Sequence, residues 1–114
     1  MDNLQAILIE AINEKKAIDP VVLDLTNISG VTDYFIICSG NSTVQVRAIA
    51  DNIIDKYKET VNQSEITLPN REGYNDGRWI LIDFGHIVVH VMHQDEREFY
   101  ALEKLWHDAK ITKF

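Results

Sequence analysis

The chain begins with an apolar stripe whose members lie three or four residues apart. This is the spacing of one face of an amphipathic helix, so we predict a first helix over residues 2–16. A second stripe follows Ser42, a suitable N-cap, and Gln45 completes a capping box three residues later, which predicts a helix over residues 43–59. The stripes consist of Leu4, Ile7, Leu8, Ala11 and Ile12, and of Val46, Ile49, Ala50, Ile53 and Tyr57.

Two segments between these helices are rich in strand-forming residues. Residues 21–25 follow the helix-breaking Asp19-Pro20 pair and predict a first strand. Residues 34–38 form a continuous apolar run, which predicts an interior strand buried on both faces. Residues 60–78 are mostly polar, so we predict a long loop there, with room for a short edge strand near residues 66–68.

A hairpin and a final helix complete the predicted elements. Residues 78–84 and 87–93 read as two strands, and the Gly85-His86 pair between them suits a two-residue type II′ turn. A terminal helix is predicted over about residues 96–109, with Asp95 and Glu98 as a weaker capping pair. Its core stripe would consist of Phe99, Leu102, Trp106 and Ala109.

The predicted hairpin has two faces of different character. If Gly85-His86 is the turn, alternation places one set of cross-strand pairs on a wholly apolar face, which must be core. The second face is mixed. Apolar anchors with a few polar groups are typical of a protein contact patch, but a helix covering this face, with Asp83 at its rim, explains the pattern equally well. The apolar pairs are Phe84 with Ile87, Ile82 with Val89, and Ile80 with Val91; the mixed pairs are Trp79 with Met92, Leu81 with His90, and Asp83 with Val88.

Charge and length narrow the functional classes. The 114 residues suit one domain over 1–114, and the net charge is −7. Such an acidic chain binds bare nucleic acid poorly, because phosphate neutralisation drives that affinity, and it suits a basic protein partner better. No apolar run is long enough to span a membrane and the N-terminus has no secretory pattern. The single cysteine, Cys38, lies in an apolar strand and is expected to be a buried thiol. These features together predict a cytoplasmic protein.

Motifs for catalysis are weak. The turn at residues 40–42, between a strand and a helix, has the position of an anion cradle, although a plain turn and helix cap is the simpler interpretation. A nucleotidyltransferase would then need paired carboxylates on the next strand, and only Asp83 is present. The four histidines do not converge as metal ligands on the predicted hairpin. We therefore predict no catalytic residues, no metal and no cofactor. The histidines are His86, His90, His93 and His107.

Three stretches in order resemble the ribosomal silencing factor family, also called Iojap-related. They are TDYFIICSG at 32–40 running on through 45–51, GRWILIDFG at 77–85 followed by 88–90, and REFYALEKLW at 97–106. The resemblance spans residues 1 to about 110. It implies a mixed α+β sheet similar to nucleotidyltransferases but without their catalytic carboxylates, with helices packed on one face. It also implies a non-enzymatic factor that binds a protein on the intersubunit face of the large ribosomal subunit, blocks small-subunit joining and can form a homodimer.

Carried over by position, the resemblance implies a contact surface that includes the mixed hairpin face and one residue of the terminal helix. His86 departs from the family pattern, which usually has an aspartate after the glycine, and this removes one negative charge at the turn. Two alternatives remain: a large-subunit assembly factor that uses the same contact, and a nucleotidyltransferase-like enzyme. The implied contact residues are Trp79, Leu81, Asp83, His90, Met92 and Tyr100.

Overall fold

The computed structural model describes residues 3–28, 30, 32–61 and 67–114. The first two helices end within two residues of their predicted limits. The elements in chain order are α1 (Asn3–Glu14), β1 (Ile18–Asp24), β2 (Tyr34–Gly40), α2 (Thr43–Thr60), β3 (Asn70–Glu72), β4 (Trp79–Asp83), β5 (Ile87–His93), α3 (Gln94–Tyr100), α4 (Leu102–Leu105) and β6 (Lys110–Lys113).

The strands form one mixed sheet in the order β3-β4-β5-β2-β1-β6. The central pair, β2 and β5, is parallel, and all other neighbouring strands are antiparallel. The position of β2 in the middle explains its unbroken apolar sequence, since a central strand is covered on both faces. The predicted mixed α+β class is therefore confirmed, as is the interior position of this strand.

Helices α1 and α2 pack side by side on one face of the sheet. The α2 N-terminus is held by the predicted cap: the Ser42 hydroxyl accepts from the Gln45 backbone N–H at 3.0 Å, and the Gln45 side-chain oxygen accepts from the Asn41 N–H at 2.8 Å. The buried apolar stripes of both helices meet the sheet in one core, which we call the helix-face core. Its sheet members include Val22, Ile36, Cys38, Ile80, Ile82, Ile87, Val89 and Val91.

The hairpin of β4 and β5 has the predicted register. Ile80 pairs with Val91 and Ile82 with Val89, and all four side chains lie in the helix-face core. Gly85 adopts a φ of +92°, which an L side chain rarely tolerates and which suits the first position of the turn. The Asp83 carboxylate accepts from the Gly85 N–H at 2.7 Å and fixes the turn locally.

The predicted terminal helix over 96–109 is wrong. The chain forms α3, then Ala101 in the left-handed region at a φ of 47°, then the single turn α4, and finally β6 paired with β1. The break turns Leu102 and the later Ala109 onto the sheet, and it leaves Phe99 80% exposed instead of in the core. The helix also begins two residues earlier than predicted, at Gln94, because the His93 imidazole Nδ1 accepts from the Asp95 N–H at 3.1 Å. The predicted Asp95 and Glu98 capping pair is therefore replaced by a histidine cap.

Two strand boundaries also differ from the prediction. The edge strand of the long loop is Asn70–Glu72, and Thr67 and Leu68 precede it without strand structure. Ile66, the first residue of the predicted strand, lies outside the described residues. β1 begins at Ile18, three residues earlier than predicted, because a bulge with Asp19 at a φ of 46° lets the pairing continue past the break.

Candidate functional site

The second face of the hairpin carries the residues predicted to contact a partner. Trp79 pairs with Met92, Leu81 with His90, and Asp83 with Val88, so the predicted cross-strand pairs are confirmed. On β4 the three side chains are only partly buried. On β5 all three are buried, with Met92 completely covered and His90 4% exposed. The face is therefore open along one strand and closed along the other.

The cover comes from the C-terminal segment. Leu102 of α4 and Ala109 pack with Met92 and with residues of β1 and β2 in a second core, and Trp106 packs against its edge. The alternative that a helix covers this face is thus realised over part of it. The structure leaves Trp79, Leu81, Asp83 and Tyr100 at least partly exposed, and it buries His90 and Met92 beside them on the same face. Any contact of these two buried residues with a partner stays a prediction.

A depression of about 510 Å³ remains open beside this cover, and we call it the hairpin groove. Leu81 and Val88 of the hairpin and Phe35 of β2 give it an apolar lining, while Asp83 supplies a carboxylate. Trp106 lies opposite the hairpin, and the rings of Phe35 and Trp106 meet edge to face at 5.9 Å between centroids. The lining residues are Thr32, Phe35, Leu81, Asp83, Gly85, Val88, His90 and Trp106.

His90 connects the groove to Trp79. The Trp79 indole N–H donates to His90 Nδ1 at 3.1 Å, and the Phe35 ring contacts the imidazole edge to face at 4.5 Å. Burial lowers the pKa of His90 to about 4, because the charged form would lose its hydration. The imidazole is therefore neutral near pH 7. The pair holds the indole in one orientation at the surface.

An aromatic ridge continues from Trp79 onto α3, and it consists of Trp79, Phe99 and Tyr100. The Trp79 and Tyr100 centroids are 4.9 Å apart, and those of Tyr100 and Phe99 are 5.0 Å apart. Tyr100 is 48% exposed and Phe99 is 80% exposed. Helical spacing alone assigned Phe99 to the core, and only the family pattern pointed to Tyr100. No local signal in the sequence marks the break at Ala101 that exposes both rings.

Acidic side chains flank the ridge at the start of α3. Asp95 and Glu96 lie in its first turn, and Arg78 binds Glu96 with a 2.7 Å distance between Nε and Oε1. This ion pair joins the start of β4 to α3 and raises the pKa of Arg78. Asp95 is well exposed, and its carboxylate adds to the negative charge beside the apolar surface.

The turn after β2 has little capacity for an anion. Its Asn41 N–H is already bonded by the Gln45 side chain, so this donor is not available for a phosphate. Arg97 closes the strand end from the other side, donating to the Ser39 hydroxyl at 3.0 Å and to the Ile18 carbonyl at 3.1 Å. Arg97 also forms an ion pair with Glu103, with 3.2 Å between Nε and Oε1. Arg97 therefore links α3 to the ends of β1 and β2.

Cys38 and the histidines offer little chemistry in the described part of the chain. Cys38 is fully buried, as predicted, and burial raises the pKa of its thiol to about 12, which removes the reactive thiolate near neutral pH. Across residues 3–28, 30, 32–61 and 67–114, no group of three or more metal-binding side chains converges. Within the same ranges no helix has the length and apolarity to cross a membrane.

The fold and the site define a small mixed α+β protein with a part-exposed aromatic surface. The family described as "Ribosomal silencing factor during starvation" matches residues 1–114, and the chain belongs to this family, as its sequence motifs predicted. It is 47% identical over 102 residues to the ribosomal silencing factor RsfS of Bacillus subtilis, covering 90% of this chain and 83% of the relative.

Two further comparisons extend this result. A crystal structure of a protein from Chromobacterium violaceum superposes with a TM-score of 0.84 at 32% identity, covering 94% of this chain and 88% of that one. The mouse protein named "Mitochondrial assembly of ribosomal large subunit protein 1" is 34% identical over 99 residues, which is 87% of this chain but 43% of the mouse protein. The family name is that of a regulatory factor.

Proposed function

We propose that the protein silences translation by docking on a basic protein at the intersubunit face of the large ribosomal subunit. The bound factor would then block joining of the small subunit by steric exclusion, in the cytoplasm and without catalysis. The observation that carries this proposal is the aromatic ridge beside the hairpin groove. Both are mainly apolar, and neither is covered by another described element of the chain.

The ridge has the properties of a binding hot spot. Trp and Tyr are favoured in such positions because they bury a large apolar area and keep a polar group for hydrogen bonding. Tyr100 is 48% exposed, Trp79 is part-exposed beside it, and the Trp79–His90 hydrogen bond reduces the entropy lost when the indole is buried. The surface is therefore prepared for a partner before it binds.

Charge supports a protein receptor over ribosomal RNA. A chain of net charge −7 repels phosphate, whereas a basic ribosomal protein would be attracted by the exposed Asp95 and the groove carboxylate of Asp83. Leu81, Trp79 and Tyr100 would supply the apolar contact.

The roles within the site follow from burial. Trp79, Leu81, Asp83 and Tyr100 would touch the partner directly. Met92 would support Trp79 from below, since the two are paired across the hairpin and Met92 has no exposed surface. His90 would orient the indole.

A second candidate function uses the same surface. The mouse relative is named for assembly of the large ribosomal subunit, so a role in subunit maturation is the alternative for this chain. Docking would be identical in both cases. Silencing predicts that the factor acts on mature subunits, and assembly predicts that it acts on precursors.

The test is co-sedimentation of the protein with separated ribosomal subunits, followed by a subunit-joining assay. Trp79→Ala is expected to lose at least ~2 kcal/mol of binding, about 30-fold in Kd, because it removes the anchor of the ridge. Tyr100→Ala, which removes a half-exposed ring, should weaken binding while leaving the fold unchanged. Val44→Ala, at a residue 72% exposed on α2, is the matched control and should bind like wild type.

The outcomes separate the candidates. Wild type that travels with the large subunit and reduces joining, with both ridge variants impaired, supports silencing. Wild type that binds only precursor particles favours assembly. Wild type that remains unbound at micromolar concentration, with its fold intact, contradicts both.

A further inference from the structure

His90 has one ring nitrogen that the fold uses and one that it does not. Nδ1 accepts the indole N–H of Trp79 at 3.1 Å, and an accepting imidazole nitrogen carries no proton. In the neutral ring the proton is then on Nε2, which makes Nε2 a hydrogen-bond donor. The Trp79 contact therefore fixes the tautomer of His90.

The Nε2 donor is buried without a partner among the described residues. His90 is 96% buried, so bulk water does not offer an easy replacement. Buried polar groups in folded proteins nearly always find a partner, because an unpaired donor loses its hydration without compensation. A donor left unpaired on a surface proposed to bind a partner requires a physical reason.

The surroundings of His90 suggest what this donor is for. His90 lines the hairpin groove with Phe35, Leu81 and Val88, none of which has a side-chain acceptor. Thr32 and Asp83 of the lining do carry oxygen atoms, but these bond to Gly85 and not to Nε2. The groove is open to solvent, and it lies directly beside Trp79 through the hairpin pairing. An acceptor from outside the chain would have to enter this groove to reach the ring.

We propose that the His90 Nε2–H donates to a main-chain carbonyl oxygen of the docked protein partner. This inference rests on the proposed function and names the chemistry that the groove selects. The His90 donor is neutral and lies among mostly apolar side chains, which suits a neutral acceptor. The Asp83 carboxylate in the groove disfavours a carboxylate from the partner. The apolar lining would bury the side chains on either side of that carbonyl.

The contact requires a small local movement. Nε2 is fully covered in the free protein, so a lining side chain has to rotate as the partner enters. Phe35, Leu81 and Trp106 line the groove and are only partly buried, so these are the side chains with room to rotate. His90 is thus a specificity-determining residue in addition to its orienting role for Trp79.

Two substitutions of His90 distinguish the role of Nδ1 as an acceptor from the role of Nε2 as a donor. In His90→Asn the amide oxygen can replace Nδ1 as the acceptor for Trp79, but the Nε2 donor is lost. In His90→Gln the amide nitrogen can replace the Nε2 donor, while the Nδ1 acceptor is lost. We expect His90→Asn to weaken binding to purified large ribosomal subunits about 10-fold, and His90→Gln to weaken it no more than about 3-fold.

Ile37→Val is the matched control, because Ile37 is paired with His90 in the sheet, is fully buried and does not line the groove. Its affinity should equal that of wild type. Circular dichroism melting of each variant reports whether the fold is retained. Nitrogen-15 NMR of the histidine side chains in the free protein reports the tautomer directly, and we expect the proton of His90 on Nε2.

The results either support or overturn the proposed donor role of His90. His90→Asn that binds like wild type, or a proton found on Nδ1, overturns the donor role and leaves the silencing proposal standing. Weakening by His90→Asn with retention by His90→Gln supports it. Wild type that does not bind large subunits overturns the docking proposal and this inference together.

Discussion

The two faces of the sheet are built from the same strands and yet differ in how completely they are covered. The helix face is closed by α1 and α2 over a large apolar cluster that includes the buried thiol of Cys38. The opposite face is closed only over β1, β2 and part of β5, by the short segment around α4. Along β4 it stays open at Trp79, Leu81 and Asp83.

This difference divides the side chains of one strand, β4, into two sets. Ile80 and Leu81 are neighbours with similar side chains, but Ile80 is fully buried against the helices while Leu81 lies in the open groove. Stability should therefore depend on the even-numbered residues of β4, and docking on the odd-numbered ones. The predictions below test that separation, beginning with the largest effect.

Ile80→Ala and Leu81→Ala form the strongest test. Ile80→Ala should lower the free energy of unfolding by about 4 kcal/mol, because it leaves a cavity in a closed core. Its folded molecules should still bind large ribosomal subunits normally. Leu81→Ala should cost about 1 kcal/mol of stability and weaken binding. Urea denaturation and co-sedimentation measure the two quantities, and equal effects of both variants on either quantity would contradict the division of the strand.

Acid should lower the free energy of unfolding through the buried histidine of the open face. The folded pKa of His90 is about 4 against 6.5 for an ordinary histidine, so the unfolded chain binds more protons between these values and stability falls as pH falls through this window. The expected loss is roughly 2.5 kcal/mol between pH 7.5 and pH 4.5. Over the same range the Cys38 thiol on the helix face stays protonated, since its pKa is about 12.

The measurement is urea denaturation at a series of pH values, with His90→Asn as the control. That variant should show a flatter pH dependence, since its side chain does not titrate. An identical slope in wild type and variant would assign the acid sensitivity to other groups.

Phe99→Ala gives the smallest expected effect on stability. Its ring is 80% exposed, so its removal should change the free energy of unfolding by less than about 0.5 kcal/mol. A core phenylalanine, as the helical pattern predicted, would cost about 3 kcal/mol or more. Thermal melting distinguishes these values, and a large loss would show that the ridge is part of the core.

The hairpin was predictable because its signals are local. Alternating residues and the Gly85-His86 turn fix the register, and a shift by one residue would have moved Ile80 and Ile82 out of the core. The same alternation placed Trp79, Leu81 and Asp83 together on the second face. What the pattern could not supply was the cover over that face, which comes from residues about ten to twenty positions further along the chain.

The C-terminal segment failed as a prediction for the opposite reason. Ala101 is a good helix former, yet it adopts a left-handed conformation because packing of Leu102 and Ala109 on the sheet outweighs local preference. β6 is short and carries two lysines, and its pairing with β1 joins residues about 90 positions apart. Neither the break nor this pairing has a local signal, so Phe99 was assigned to the wrong environment and Met92 was expected at the surface.

The exposed aromatic ridge also offers a surface for self-association. Two copies of the chain that met through Phe99 and Tyr100 would bury both ridges and form the homodimer that the family resemblance implies, at the expense of docking. The net charge of −7 opposes that encounter by mutual repulsion, which salt screens over a Debye length of about 8 Å at physiological ionic strength. If the chain forms this homodimer, a rise in ionic strength is expected to increase the share of paired copies.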